Sequence, residues 1–430
     1  MTQKYKAISL FSGLGGDTLG LTNANVEVVA YNELDKTYCK SHEENFPNSE
    51  LITRKTSELI TRKTANKEKS IYDVPEMLAV AIASADALHV TDAMFQNDPA
   101  NVGEHHIPTP THNIPTPTNN DDRNIQNIPD EVFEKYENDV DIIFAGFPCQ
   151  GFSAAGKKMD NDPRNTLFRE FLRTAKIINP KMIIGENVKG LLSRKTTSGE
   201  NYIDVIVKEF ENIGYNVEYR VLKAHQYGVP QKRERLIIIG TKNDNPYGWT
   251  SNFPEPLNDG KNNLPDLKNI IKYDMTGTIR VDPNLFSEIP EECIIKNMRD
   301  KKKYEDNNGA HPYLKRLYYA DENLRTYKDK THDNLFSFGK RDSPIHGEII
   351  DNRNPAKTII CTYDHQPRFF VPIKNKSGTY LRTILPDELK QIQGFPANYK
   401  MIGNNKQQIV QVGNAVPPPL IERIVRNIIE

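Results

Sequence analysis

Cys149 closes the string Gly146-Phe147-Pro148-Cys149, directly after the apolar run Ile142-Ile143-Phe144-Ala145. Such a run reads as a buried strand, and Pro148 fixes the turn that delivers the thiol just past the strand's carboxyl end. Ligands of open α/β sheets bind there, so the thiol is placed for nucleophilic work. A carboxyl group is expected at the same edge, because Glu186 follows a second apolar run, Met182-Ile183-Ile184-Gly185. It is a candidate proton donor. Further on, Gln231-Lys232-Arg233-Glu234-Arg235 sets Arg233 and Arg235 two residues apart, on one face of an extended segment. Two guanidinium groups so placed suit phosphates or base edges. Taken singly, a cysteine is more often a small buried hydrophobe, and a strand-terminal Glu or an Arg pair is more often solvated. Their arrival at one crevice is what argues for a site.

The string Phe11-Ser12-Gly13-Leu14-Gly15-Gly16 follows the first apolar strand. Gly13, Gly15 and Gly16 permit tight turning and close backbone approach to a ligand. Glu33, at the end of the next strand, can accept hydrogen bonds from a ribose diol. A dinucleotide fingerprint would need Gly or Ala where Thr18 stands. The pattern therefore points to adenosine bound without a pyrophosphate. Near the C-terminus, Asn414 in Gly413-Asn414-Ala415-Val416-Pro417 can both donate and accept, as a cofactor carboxylate or amine requires.

The elements that must position these residues follow from hydrophobic period. Strands are predicted over Lys6–Leu10, Val26–Asn32, Asp141–Ala145, Met182–Glu186, Val217–Leu222 and Leu236–Thr241, and helices over Asn165–Ile178 and Tyr202–Ile213. Alternating strands and helices imply βαβ units, hence an α/β fold with a mostly parallel sheet and helices on both faces. The net charge of −1 excludes a globally basic nucleic-acid binder, so any such surface is local. Cys39, Cys149, Cys293 and Cys361 lie far apart, with no CxxC pair and no His cluster, which argues against structural zinc and a disulfide scaffold. No apolar run approaches the ~18 residues of a membrane span, and no signal-peptide pattern opens the chain. A soluble intracellular protein is expected.

Two segments break the βαβ rhythm. From about 48 to 120 the chain carries two tandem repeats, LITRKTSE–LITRKTAN (51–66) and IPTPTHN–IPTPTNN (107–120). Their Thr, Pro and Asn supply no apolar face, so a flexible insertion is expected; the stretch between them could form a helix of its own. The region 243–378 has irregular strands and no βαβ period. Within it, Lys296 to Arg341 holds twelve Lys or Arg against seven Asp or Glu, interleaved with seven Tyr or Phe. That composition predicts a basic, aromatic surface for phosphates and bases. The domains expected are 1–242 with 379–430, and 243–378.

The ordered set FSGLGG, Glu33, GFPCQGFS, DPRNTLF (162–168), Glu186-Asn187-Val188, QKRER, RTILPDELKQIQGFP (382–396) and GNAVPPP resembles the DNA cytosine-5 methyltransferase family of restriction-modification systems. The resemblance covers residues 1 to about 47, 121–242 and 380–430. It implies the Rossmann-like methyltransferase fold, S-adenosyl-L-methionine as cofactor, no metal, and a target cytosine flipped out of duplex DNA. Carried over by position, Cys149 would be the nucleophile, Glu186 would bond cytosine N3, Arg235 would hold O2 and Arg233 the nearby backbone. Phe11, Gly13, Gly15, Gly16, Glu33, Leu167 and Asn414 would line the cofactor. Gln150, Ser153, Arg233 and Thr358, the last matching a Thr-aliphatic pair late in the family's recognition domain, would meet DNA. Asp121 is the match for the adenine-binding Asp and Asp92 the alternative, since the family's Gly-Asp-Ile has no plain counterpart. Leu34 stands where the family often has an aromatic residue.

The same resemblance implies double-stranded DNA as partner and a cognate restriction endonuclease acting independently on the same site. It also implies a monomer without membrane attachment, cytoplasmic in a prokaryotic or viral host cell, or nuclear in a eukaryote. A tRNA-acting branch shares the cysteine motif but carries a Cys-Phe-Thr string that this sequence lacks. Non-enzymatic relatives usually lose the Cys or the Glu, and both stand here.

Overall fold

The computed structural model describes residues 5–56, 121–148, 167–196, 198–305, 309–319, 335–341 and 346–430. Cys149, Gln150, Ser153, Asp92, the IPTPT repeat and the second LITRKT copy lie outside the described residues. The apolar runs form β1 (Lys6–Leu10), β2 (Glu27–Asn32), β3 (Glu50–Leu51), β4 (Ile142–Ala145), β5 (Met182–Val188), β6 (Tyr215–Lys223) and, after a short β7 (Gln231–Lys232), β8 (Glu234–Lys242). Seven of these make one sheet in the order β3-β2-β1-β4-β5-β8-β6. The pairs from β3 to β5 are parallel, and β8 runs antiparallel between β5 and β6.

Successive residues of each central strand serve opposite cores. Ile143, Ile183 and Ile238 face one apolar cluster, and Ile142, Ile184, Ile237 and Ile239 the other. Burial on both faces is why these strands read as continuous apolar runs. The helices of this part are α1 (Gly16–Asn23), α2 (Lys36–Asn45), α3 (Asp130–Glu134), α4 (Phe168–Ile178) and α5 (Tyr202–Glu211). Phe171, Leu172, Ala175 and Ile178 fall on one side of α4 and bury against the first cluster. Each large apolar side chain so buried contributes about 1.5–3 kcal/mol.

A second, six-stranded sheet contains β9 (Ile279–Val281), β10 (Ile295–Asn297), β11 (Phe336–Phe338), β12 (Gly347–Ile349), β14 (Phe369–Asn375) and β15 (Gly378–Thr383), while β13 (Ala356–Lys357) pairs with β7. The helices of the C-terminal half are α6 (Pro312–Tyr318), α7 (Pro386–Ile392), α8 (Asn405–Asn414) and α9 (Pro418–Ile429). Leu420, Ile421, Ile424 and Val425 of α9 cover the second face of the main sheet. α9 lies so close to α1 that a Cβ on Gly20 would stand 2.7 Å from the Cβ of Ile421. Among the described residues no helix is long and apolar enough to cross a membrane.

Two expectations need correction. The segment expected to be flexible from about residue 48 is structured at its start: β3 pairs with Ala30 and Tyr31, and Ile52 is fully buried. Of the described aromatic residues between Lys296 and Arg341, several turn toward a core, whereas Tyr319 stays 54% exposed. Phe336 is buried with Leu314 and Leu317, and Tyr313, Tyr318 and Phe338 pack against the same cluster.

Candidate active site

The glycine loop, Glu33, Gly146 and Glu186 all stand at the carboxyl ends of β1, β2, β4 and β5. In the loop, Gly13 (φ 55°) and Gly15 (φ 83°) are left-handed, and so is Phe11 at φ 57°. A non-glycine residue held there stores backbone strain, which clusters at ligand sites. A Cβ on Gly13 would meet only Tyr38 Cδ2, at 4.0 Å, so the space beside this backbone is open. Gly16 is glycine for packing, since its Cβ would lie 2.0 Å from the Val416 carbonyl oxygen.

Glu33 is fixed by the backbone: Gly13 N–H donates to Oε2 at 2.8 Å and Asp35 N–H to Oε1 at 2.8 Å. Burial raises its pKa while these bonds act against it. Asn414, at the end of α8, donates from Nδ2 to the Tyr38 hydroxyl at 3.0 Å. Glu33, Gly13 and Asn414 thus surround Tyr38, a lining residue absent from the sequence expectations. Only its place on α2, one turn beyond Glu33, could have flagged it. Phe11 and Leu167 border one apolar cluster. Asp121 reaches the β3 end of the sheet, where Arg54 N–H donates to the Asp122 carbonyl at 2.7 Å. Its carboxylate is held by Arg123 Nη2 at 2.8 Å, which lowers its pKa. In the first turn of α1, buried Asp17 accepts a hydrogen bond from Ser9, and burial pushes its pKa up to about 7.

On the other side of the β4 end, Glu186 Oε1 lies 2.7 Å from Arg235 Nε, with both side chains nearly buried. The pairing of Val188 with Arg235 on adjacent antiparallel strands brings them together. A Cβ on Gly146 would lie 3.9 Å from Glu186 Oε2, so this carboxylate stands beside the turn that leads to position 149. Asn187 fixes that turn by donating to the Phe147 carbonyl at 3.1 Å. Burial lowers the Arg235 pKa, and Glu186 opposes the shift.

Arg233 departs from the expected contact with nucleic-acid backbone. It is 1% exposed, and its guanidinium donates to the carbonyls of Ile359, Gly413 and Ala415 at 3.1–3.2 Å. The face rule fails because Arg233 sits at the break between β7 and β8. Thr358 donates to the Lys232 carbonyl at 2.7 Å and, with Arg235, lines a cleft of about 620 Å³.

This sheet order, with one antiparallel strand between β5 and β6 and a glycine loop after β1, is the Rossmann-like methyltransferase fold. The chain belongs to the C-5 cytosine-specific DNA methylase family, whose model matches residues 5–73 and 110–430. The type II methyltransferase M.Eco47II of Escherichia coli is 31% identical over 431 residues, covering 99% of this chain and 79% of the relative. M.DdeI of Desulfomicrobium norvegicum is 31% identical over 318 residues, 68% and 73% of the two chains. Among solved structures, a Spodoptera frugiperda DNMT2 mutant shares the fold at TM-score 0.55 and 17% identity, covering 99% of this chain and all of the other. The Entamoeba histolytica methyltransferase EhMeth does so at TM-score 0.53 and 15% identity, covering 98% and 97%. By enzyme class the chain is a DNA (cytosine-5) methyltransferase of the restriction-modification type.

Proposed function

We propose that the chain methylates C5 of one cytosine in a specific duplex DNA sequence, after that base has left the stack. The observation that carries this reading is the Glu186–Arg235 pair at 2.7 Å, set beside the Gly146 turn at the sheet edge that holds the glycine loop. S-adenosylmethionine, when bound, supplies the methyl group as an electrophile on a sulfonium. The open space beside Gly13, the fixed Glu33 carboxylate and the Asn414 amide suit its ribose and amino-acid ends. Asp121 is the proposed adenine partner; to serve, its carboxylate must be shared with Arg123.

Cytosine C5 is too poor a nucleophile to take a methyl group unaided. In the proposed mechanism the Cys149 thiolate adds to C6, and the displaced electron pair passes toward N3 and O2. Glu186 meets N3 and Arg235 meets O2. C5 gains carbanion character and would take the methyl carbon as its bond to the sulfonium sulfur breaks, leaving a neutral thioether. A base then removes the C5 proton, which re-forms the C5–C6 double bond and expels the thiolate. A free thiol is only a few per cent ionised at neutral pH, so the turn that carries Cys149 must favour its thiolate. Arg233 takes no part in these steps and positions the segment that bears Arg235. Gln150, Ser153 and Thr358 are the proposed DNA contacts beside the base, and the region 243–378 carries target recognition. An endonuclease cutting the same sequence independently is the proposed companion.

The test is incubation with S-adenosylmethionine and plasmid DNA, followed by bisulfite sequencing. Protected cytosines in one recurring sequence are expected. A folded chain that binds S-adenosylmethionine yet leaves every cytosine convertible would refute the reading.

A further inference from the structure

The cleft beside Arg235 gathers charge that its own residues do not balance. It is lined by Lys189, Lys223, Lys232, Arg235 and Lys261 against Glu234 and Asp259, with His225 in its wall. Both carboxylates are engaged. Glu234 pairs with Lys189 at 3.1 Å. Asp259 accepts hydrogen bonds from the backbone N–H groups of Lys261 and Asn262 and from the Asn262 amide. Among the described residues, Lys223, Lys232 and Lys261 have no ion-pair partner.

His225 is 8% exposed, and its Nδ1 has no hydrogen-bond partner among the described residues. Burial lowers its pKa first, then Lys232 and Lys223, with Glu234 acting against them. Three exposed lysines therefore repel one another across one wall and disfavour the imidazolium form of the ring beside them. A polyanion relieves this repulsion. The cleft, about 620 Å³, is far larger than a single phosphate and continuous with Arg235, which suits a run of phosphodiesters rather than one free anion.

We propose that Lys223, His225, Lys232 and Lys261 form a seat for backbone phosphates of the DNA strand that carries the target cytosine. This rests on the assignment of Arg235 to the flipped base. Lys223 reaches the seat from β6, Lys232 from β7 and Lys261 from the turn after Asn258, so three separate segments converge on one strand of DNA. The charged groups acting on His225 are Lys232, Lys223 and Glu234, and Lys189, Arg235, Asp259 and Lys261 line the same cleft. An arriving phosphate favours the imidazolium, so DNA binding takes up a proton there and tightens as pH falls.

The experiment is fluorescence anisotropy of a labelled duplex oligonucleotide across a series of KCl concentrations; phosphate contacts do not need the recognition sequence. Each lysine that neutralises a phosphate contributes ~0.9 to the slope of log K against log salt. The slope should therefore flatten by about 1.8 in Lys223→Ala/Lys261→Ala and by about 0.9 in Lys261→Ala alone. Lys208→Ala, on the exposed side of α5, should leave it unchanged. His225→Gln should reduce the pH dependence of Kd as pH falls through and below the ordinary histidine value of 6.5. Wild-type binding with slopes unchanged in folded lysine variants would overturn the seat alone. A wild type with no salt-dependent affinity for duplex DNA would overturn the seat and the functional reading together.

Discussion

The Glu186–Arg235 pair allows stability and chemistry to be separated by substitution. The two side chains are 12% and 13% exposed, and their charged atoms lie 2.7 Å apart. Removing one partner of a buried pair typically costs about 3–5 kcal/mol, because the other charge stays buried without compensation. Arg235→Met leaves the Glu186 carboxylate in the field of Arg233, so the lower end, about 3 kcal/mol, is expected. Glu186→Gln keeps the shape but leaves two buried guanidinium groups with no carboxylate between them, so the upper end, about 5 kcal/mol, is expected. The double variant removes both charges and should lose only about 1 kcal/mol, so the coupling, the single losses less the double, is about 7 kcal/mol. Urea unfolding followed by circular dichroism measures the stabilities, and transfer of a labelled methyl group to DNA measures the chemistry. All three variants should fail at transfer, including the stable double variant. Single-variant losses that simply add in the double variant would refute the coupling. Turnover by the double variant would remove the pair from the mechanism.

Cys149→Ser should abolish methyl transfer while S-adenosylmethionine binding, read by calorimetry, stays within a few fold; substantial turnover in a clean preparation would sink Cys149 as nucleophile. The two ends of the repeat-bearing insertion meet where Arg54 N–H donates to the Asp122 carbonyl at 2.7 Å, so replacing residues 58–119 by a short Gly/Ser linker should leave a folded, active chain. A cut that also removes residues 51–56 loses the burial of Ile52 and should cost about 1.5–3 kcal/mol, and equal losses in urea unfolding for the two cuts would count against that assignment. Asp17, raised from 3.8 to about 7, holds in the folded state a proton that the unfolded chain releases, so this stabilisation is fully present below pH ~4 and is lost as pH rises toward 7. At ~1.4 kcal/mol per unit, Asp17→Asn should be more stable than wild type by roughly 3–5 kcal/mol at pH 8, and identical pH profiles of the unfolding midpoint would contradict this.

What was legible in the sequence was whatever local pattern encodes. Strands buried on both faces read as unbroken apolar runs, and the predicted Lys6–Leu10 coincides with β1. The direction of β8 was not legible, because Leu236 to Thr241 looks the same whether it pairs parallel or antiparallel. The start of the insertion is illegible for a related reason. Leu51 and Ile52 belong to a polar repeat, and what recruits them is distant: the edge of β2, and Asn32, whose amide donates to the carbonyls of Ile52 and Arg123. Arg233 and Arg235 were set on one face by the period of a strand. That period lapses where Arg233 N–H turns back to the Gln231 carbonyl at 2.9 Å. The lysines of the cleft leave no local signal, because Lys223, Lys232 and Lys261 are scattered in sequence and meet only in the fold.

Arg233 also explains how motifs that each read as a separate turn act together. Gln231 donates to Gln393 at 2.6 Å and accepts from Ile359 N–H at 3.0 Å, Gln393 donates to the Ala415 carbonyl, and Arg233 reaches Ile359, Gly413 and Ala415. All three side chains are buried, and among the described residues no carboxylate bonds this guanidinium. A buried cation without a bonded anion is costly, and here three carbonyl oxygens and the field of Glu186 offset its charge. Dense contact tightens the arrangement, since a Cβ on Gly413 would lie 2.4 Å from Cys361 N. Thr358 stands one residue before Ile359 and faces the cleft, while Asn414 stands one residue after Gly413 and faces Tyr38. The network therefore fixes the separation between a hydroxyl on the proposed DNA side and an amide on the proposed cofactor side. Arg233 itself need touch neither ligand to do so, which is why its burial and its place inside a catalytic motif are compatible.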